Sequence, residues 1–413
     1  MSVTSALYTG ISGLNANGEA MSVIGNNISN VNTIGFKQGR MLFSDVLSSS
    51  VSRGSQIGRG VQIEVIDNQF TQGSFESTES ATDLAVQGDA FFAVKNSNGQ
   101  FYTRAGSFHF DKDKILVNPA GDQVMGYGIN QATGLSNGTL DKIDLTNFAS
   151  AQPQMTSLTK MVLNLDATAA TPTAAWDPAN PVATSNFSSS ISVFDSQGNA
   201  HTATVYFRKA AANSWDWHAI IPDATAGSPI DGTLTFNASG MLTAQTPAAN
   251  ANQNVTFGGG VTAPQPMAFD FGVNATTQYA SSSLVSSQSQ DGYAQGNLVK
   301  ITVDDKGYVN GIYSNGQLQK LAQVALARFS SPNGLSKIGG SLFQETADSG
   351  QPQITNAATP GVGKIFSNSL EQSNVDMAAQ FVKMITTQRG YSANSKTITT
   401  TDEMLQEVLG LKR

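Results

Sequence analysis

Apolar residues return every seven positions at both ends of this 413-residue chain. Near the N-terminus Leu7, Leu14, Met21 and Ile28 keep the interval, joined by Ile24 and Val31. Near the C-terminus Leu370, Met377, Met384, Tyr391, Ile398 and Leu405 keep it, with Phe381 beside them. A seven-residue repeat marks a helix whose narrow seam faces another helix under left-handed supercoiling. The pattern therefore predicts helices over 2–33 and 374–411, paired as a coiled stem. The second seam is thin, because Gln380, Thr387, Asn394 and Thr401 fill its alternate positions. The first helix is weak on its own account. Gly10, Gly13, Gly18 and Gly25 each cost about 1 kcal/mol relative to Ala, and Asn26, Asn27, Asn30 and Asn32 compete for the backbone. Gly35 is placed to end it, and Ser373 with Asp376 is placed to cap the other. Such segments are helical only when packed.

Between the ends the period changes. Residues 38–70 read as an irregular connector, loosest at Ser48–Ser55, either a flexible loop or a contact loop between subunits; 61–66 alternate as a strand. Short strands separated by turns fill 71–149 and 285–366, with turns at Asn96–Gly99, Asp111–Lys114, Asp304–Gly307 and Ser314–Gly316. Phe110-Asp and Val303-Asp each precede a turn, a faint internal echo. Residues 150–284 differ, being dense in Ala, Thr, Ser and Asn and holding Trp176, Trp215 and Trp217. Within them Ile191 to Phe207 is a hairpin turning at Ser196–Asn199. The expected class is α+β and multidomain. A stem of 1–70 and 367–413 carries two nested antiparallel β-rich domains, 71–149 with 285–366 and, inserted in it, 150–284.

Composition narrows the function. Only 13% of residues are charged, about half the usual share, which suits subunits that bury themselves against copies. A net charge of −7 disfavours a nucleic-acid groove. The absence of cysteine removes disulfides and thiolate chemistry. No run approaches the roughly 20 apolar residues of a membrane helix, and the first basic residue is Lys37, so no cleavable signal peptide is expected. His109, His201 and His218 lack ligand spacing. Asp111-Lys-Asp113 begins like a calcium loop but lacks its later Gly and Glu. Gly361–Lys364 hints at a phosphate loop, yet Ala358 and Ile365 stand where that motif needs Gly and Ser or Thr. Neither catalysis nor a cofactor or metal is expected.

The residues around the seams carry a resemblance. The run Ser12-Gly-Leu-Asn-Ala-Asn-Gly-Glu-Ala-Met-Ser-Val-Ile-Gly-Asn-Asn-Ile-Ser-Asn-Val-Asn-Thr-Ile-Gly-Phe-Lys37 resembles the signature of the bacterial flagellar rod and hook proteins. Ser373-Asn-Val-Asp-Met-Ala-Ala-Gln-Phe-Val-Lys-Met-Ile-Thr-Thr-Gln-Arg-Gly-Tyr-Ser-Ala-Asn-Ser-Lys396 resembles their tail. Asp83–Val94 and Phe101–Phe108 resemble their first globular module. The resemblance implies an extracellular structural subunit of the flagellum that polymerises with itself and leaves by the type III export apparatus, its signal uncleaved. Its implied neighbours are distal rod proteins, hook–filament junction proteins and a hook cap protein, with no nucleic acid and no membrane insertion. The 150–284 insert and the re-entry at Asp291–Leu298 favour the hook branch, a curved tube passing torque as a universal joint, over the shorter distal rod proteins. In a polymer the seam residues, Phe381 and Tyr391 included, serve either a core or subunit contacts. A rival of another class is a secreted β-domain binding protein or adhesin with Trp215 and Trp217 as a ligand platform, although alternate residues of one strand suit a core face equally.

Overall fold

The computed structural model describes residues 3–47, 58–131, 133–261, 264–359 and 362–410. The expectations for Ser48–Ser55, for Gly361 and for residue 411 at the end of the second helix lie outside the described residues. The chain divides into two units, Met1–Phe148 with Lys300–Ile312 and Leu318–Arg413, and Ala149–Val299 with Tyr313–Gln317.

In the first unit the N-terminal helix spans Val3–Ser29 and the C-terminal helix Met377–Gly410. The first helix ends at Ser29, short of the expected 33, so Gly35 does not stop it; Gly35 adopts a φ of 67° in the turns that follow. A Cβ there would also stand 2.4 Å from the amide nitrogen of Ala105, so only glycine fits. The second helix starts later than the capping-box reading implies. Its cap is Asp376, whose Oδ1 accepts from Ala379 N at 3.1 Å. Its 34 residues span about 50 Å.

The connector is not irregular where it is described. Gly39–Leu47 and Gly58–Asn68 form an antiparallel pair with a bulge between Leu42 and Phe43, where Glu64 has no partner. On the first strand Met41, Leu42 and Phe43 follow one another, so the alternation expected of a strand is hidden. The pair lies along the N-terminal helix, with Val61 N donating to Ser12 Oγ at 3.2 Å.

The β module packs Phe91–Asn96 between Gly99–Thr103 and Gln123–Ile129, and Leu318–Arg328 pairs with Gln123–Ile129 and with Phe91–Asn96. Every residue from Leu321 to Ala327 is buried, the mark of a strand covered on both faces. Its aromatic core joins Phe91, Tyr102, Phe329 and Phe343 with edge-on contacts.

The second unit holds two five-stranded sheets. One runs Phe187–Phe194, Ala200–Ala211, Ser214–Ile220, Ile230–Phe236, Leu242–Thr246 in antiparallel order; the other includes Leu158–Asn164, Leu284–Gln290 and Gln265–Asp270. Both contribute to one core around Phe207, Trp215, Trp217, Phe269 and Phe271. One pairing departs from the antiparallel expectation: Leu158–Lys160 run parallel to Ala268–Asp270.

The faint sequence echo becomes a recurring turn. At Asp111, Asn118, Asp195, Asn237 and Asp304 the side-chain Oδ1 accepts backbone N–H groups two and four residues ahead. The fourth residue has positive φ each time: Lys114, Gly121, Gly198, Gly240 and Gly307. This is the short hairpin turn that combines an Asx cap with a left-handed residue. Lys114 alone among these fourth positions is not glycine.

Candidate assembly surface

The two terminal helices meet through small and polar side chains. On the N-terminal helix the buried positions are Gly10, Gly13, Ala16, Ala20, Ile24 and Asn27. A Cβ on Gly10 would stand 2.9 Å from Ile398 Cγ1, one on Gly13 2.7 Å from Asn394 Nδ2, and one on Gly390 3.0 Å from Asn17 Oδ1. Glycine thus lets the backbones approach, and the amides of Asn17 and Asn394 fill the gap. Among the residues of the C-terminal helix whose burial is described, the buried ones are Gln380 and Thr401, both from the polar alternate set.

The heptad residues take three kinds of place. Leu7, Leu14, Met21, Ile28, Met384, Ile398 and Leu405 are half-buried, and Ile24 is buried. Val31 lies half-buried in the turn beyond the first helix. Leu370 is buried, but in the strand Ser369–Glu371 paired with Phe75–Ser77 rather than in a helix. Met377, Phe381 and Tyr391 are exposed. With Val382, Ile385 and Met404 on the same helix, and Tyr8 and Ile11 on its neighbour, they leave the pair apolar outside. An amphipathic helix ordinarily turns its apolar stripe inward. Here the close glycine contacts hold the polar stripe inside.

Where both helices leave the module, two side-chain clusters tie them down, the first partly buried and the second fully. In the first, Asn27 exchanges hydrogen bonds with Gly39, donating to its O at 2.8 Å and accepting from its N at 2.9 Å. Gln380 Nε2 donates to Gln38 Oε1 at 2.8 Å, Gln38 N to Asn374 Oδ1 at 2.9 Å, and Asn374 Nδ2 to Gln69 O at 2.7 Å. In the second, Lys37 Nζ meets Glu371 Oε1 at 2.6 Å and donates to Thr71 O at 2.8 Å. Arg104 reaches Glu371 Oε2 at 3.4 Å, donates to Gly88 O at 2.6 Å and lies 4.9 Å over the Phe91 ring. The three side chains are 0 to 1% exposed. Burial pulls the Lys37 ammonium below its ordinary value, with Glu371 opposing. Periodicity gave no sign of this cluster, since Lys37 and Glu371 lie 334 positions apart. The available signal was a Lys closing the N-terminal motif and a Glu just ahead of the C-terminal one, in a chain poor in charge.

The alternative sites do not assemble. Trp215 and Trp217 are 0 and 1% exposed, and their indole N–H groups donate to Gln278 Oε1 and Thr246 O, so they offer no platform. Trp176 is half-buried and stacks on His218 at 3.9 Å between ring centres. Asp111 Oδ1 is taken by its own turn, and Lys364 pairs with Asp305. Among the described residues no helix is long and apolar enough to cross a membrane, and no group of three or more His, Asp or Glu is placed to hold a metal.

Four stretches match families of one class. Residues 7–37 match the flagella basal body rod protein family, and 85–152 match the flagellar hook protein FlgE/F/G D1 domain. Residues 164–293 match the flagellar basal body protein FlaE D2 domain, and 367–411 the flagellar basal body rod FlgEFG protein C-terminal family. The class is that of flagellar rod and hook proteins. The flagellar hook protein FlgE of Borreliella burgdorferi is 37% identical, covering 98% of this chain and 99% of its own. That of Escherichia coli is 35% identical, covering 98% and 100%. The chain belongs to the flagellar hook protein FlgE family. The crystal structure of Helicobacter pylori flagellar hook protein FlgE2 shares the fold, at a TM-score of 0.50 and 14% identity over 72% of this chain and 99% of that one.

Proposed function

We propose that this chain is the structural subunit of a bacterial flagellar hook, polymerising with itself into a curved tube that passes torque from rod to filament as a universal joint. One observation carries the reading beyond family membership. The terminal helices turn small and polar groups toward each other and Met377, Phe381, Val382 and Ile385 outward, an arrangement that gains apolar burial only when other copies surround it. In this reading the helical stem lines the tube, the β module lies outside it, and residues 150–284 form the outermost layer. The assembly seam is then shared. Ile24, buried, and Ile398, against Gly10, stay within the subunit, while Met377, Phe381 and Tyr391 pack against neighbours.

The chain reaches the cell exterior through the type III export apparatus with its signal uncleaved, and the tube it forms meets the distal rod, the junction proteins and, during growth, the cap. Electron microscopy of the purified full chain after salting-out tests the central claim. Curved tubes are expected. Single particles under all conditions would overturn it, and straight tubes only would favour a rod role.

A further inference from the structure

The cluster of Lys37, Arg104 and Glu371 joins three distant parts of the chain at one point. Lys37 follows the N-terminal helix and Glu371 precedes the C-terminal one. Arg104 belongs to the module, where Val86 O and Gly88 O also hold it. The backbone closes the same knot: Gly35 N donates to Glu371 O at 2.7 Å, and Gly73 N to Glu371 Oε1 at 2.9 Å. Both helices therefore leave the module from a single carboxylate with donors on three sides. Asp89 is the remaining charged group that acts on Lys37 and Arg104.

A buried ion pair is a poor source of net stability, because desolvation of both partners offsets their attraction. Its geometry is demanding, however, and an apolar replacement of similar size tolerates many arrangements that the ions do not. Removing Lys37 would also leave Glu371 and Arg104 as a neutral pair, with Gly73 N still donating to the carboxylate. The cluster can lose its Lys without stranding a charge.

We propose that Lys37 is a positioning residue for assembly: docked on Glu371 and Thr71 O, its ammonium fixes the direction in which the paired helices leave the β module, and so the register of copies along the tube. The proposal rests on the polymerising reading above. A helical polymer repeats one subunit geometry at every step, so a small freedom at this joint accumulates along its length. Stability and register are then separable properties of Lys37.

The test is Lys37→Met in the full chain, compared with wild type by thermal unfolding of the subunit and by electron diffraction or image analysis of salted-out tubes. The expected result is an unfolding midpoint within about 3 °C of wild type, with tubes that are short or irregular and lose the sharp layer lines of wild type. Tubes with wild-type layer lines would overturn the proposal. So would a fall in midpoint of roughly 8 °C or more, which would make Lys37 a stabilising residue instead. Failure of wild type to form tubes in the same experiment would sink the polymerising reading.

Discussion

Gly13 and Asn394 occupy one space: a methyl group on the glycine would stand 2.7 Å from the amide nitrogen of the asparagine on the opposite helix. The glycine is thus a contact surface, and Gly18, with nothing within 4 Å, is a control on the same helix. Gly13→Ala should destabilise the tubes, because overpacking of about 1–3 kcal/mol outweighs the gain of about 1 kcal/mol in helix propensity. Gly18→Ala should stabilise them by that gain. Dissociation temperatures of assembled tubes decide it, and a shift in the same direction for both would show that Gly13 is not a close-approach site.

In dilute monomer the two termini should be protease-sensitive. Their mutual interface is rich in amides and glycine and offers little apolar burial beyond Ile24 and Ile398, and helices of this kind are marginal without tertiary packing. Limited proteolysis should trim both helices back toward the joint where Lys37 and Glu371 are buried, leaving a resistant core that includes it, and assembly should protect the ends. Equal protection in monomer and tube would contradict this.

Phe381 and Ile385 stand one helical turn apart, 47 and 50% exposed. If neighbours cover them, Phe381→Ser or Ile385→Ser leaves the subunit's folding unchanged and removes about 1.5–3 kcal/mol of burial per contact. That corresponds to a roughly ten- to hundredfold higher concentration for assembly. Sedimentation of polymer across a concentration series measures it, and an unchanged threshold would place both residues outside the subunit contacts.

Much of the outline was legible. The seven-residue period located both terminal helices, and the hairpin from Ile191 to Phe207 was plain because Val193, Ala203, Val205 and Phe207 alternate into one core. What periodicity missed depends on distance and on irregularity. The run of apolar residues Met41, Leu42 and Phe43 disguised the strand at Gly39–Leu47. Gly10 and Gly13, two of the four glycines that read as weak points, proved to be where the helices touch, which rotates the buried stripe from Met377 and Tyr391 toward Gln380 and Thr401. The charged cluster needs partners 267 and 334 positions apart, beyond the reach of any local pattern.

Asp195 should contribute to acid sensitivity. Burial raises the pKa of its carboxyl, but hydrogen bonds from Asn199, His201 and Gln197 outweigh that and hold it below the ordinary 3.8. Its contribution to stability is therefore complete above that ordinary value and lost as pH falls through the lower, folded value. Asp195→Asn keeps an acceptor for the turn, as Asn118 and Asn237 do in theirs. Melting temperatures from about pH 5 to about pH 2 should fall less steeply for the variant than for wild type. Parallel curves would remove Asp195 from the acid response.

Lys114 holds a φ of 58° on an exposed turn whose four sisters use glycine. Lys114→Gly should stabilise the module by roughly 0.5–1 kcal/mol, relief of left-handed strain exceeding the added entropy of the unfolded chain. The mirror experiment is Gly121→Ala. No atom lies within 4 Å of that Cβ, so a loss of stability there would report the φ alone. Denaturant midpoints at constant slope measure both.

A stem whose inner seam is amide and glycine has a kinetic consequence. Two free subunits gain little by meeting, since each must order its own ends before either offers the other a surface. A subunit arriving at a finished tube end finds that surface already ordered. Growth therefore needs a seed, and purified protein should show a lag that fragments of preformed tube abolish. A pool of subunits then stays unpolymerised until it reaches a growing tip, which confines tube formation to the one place where a tube already exists.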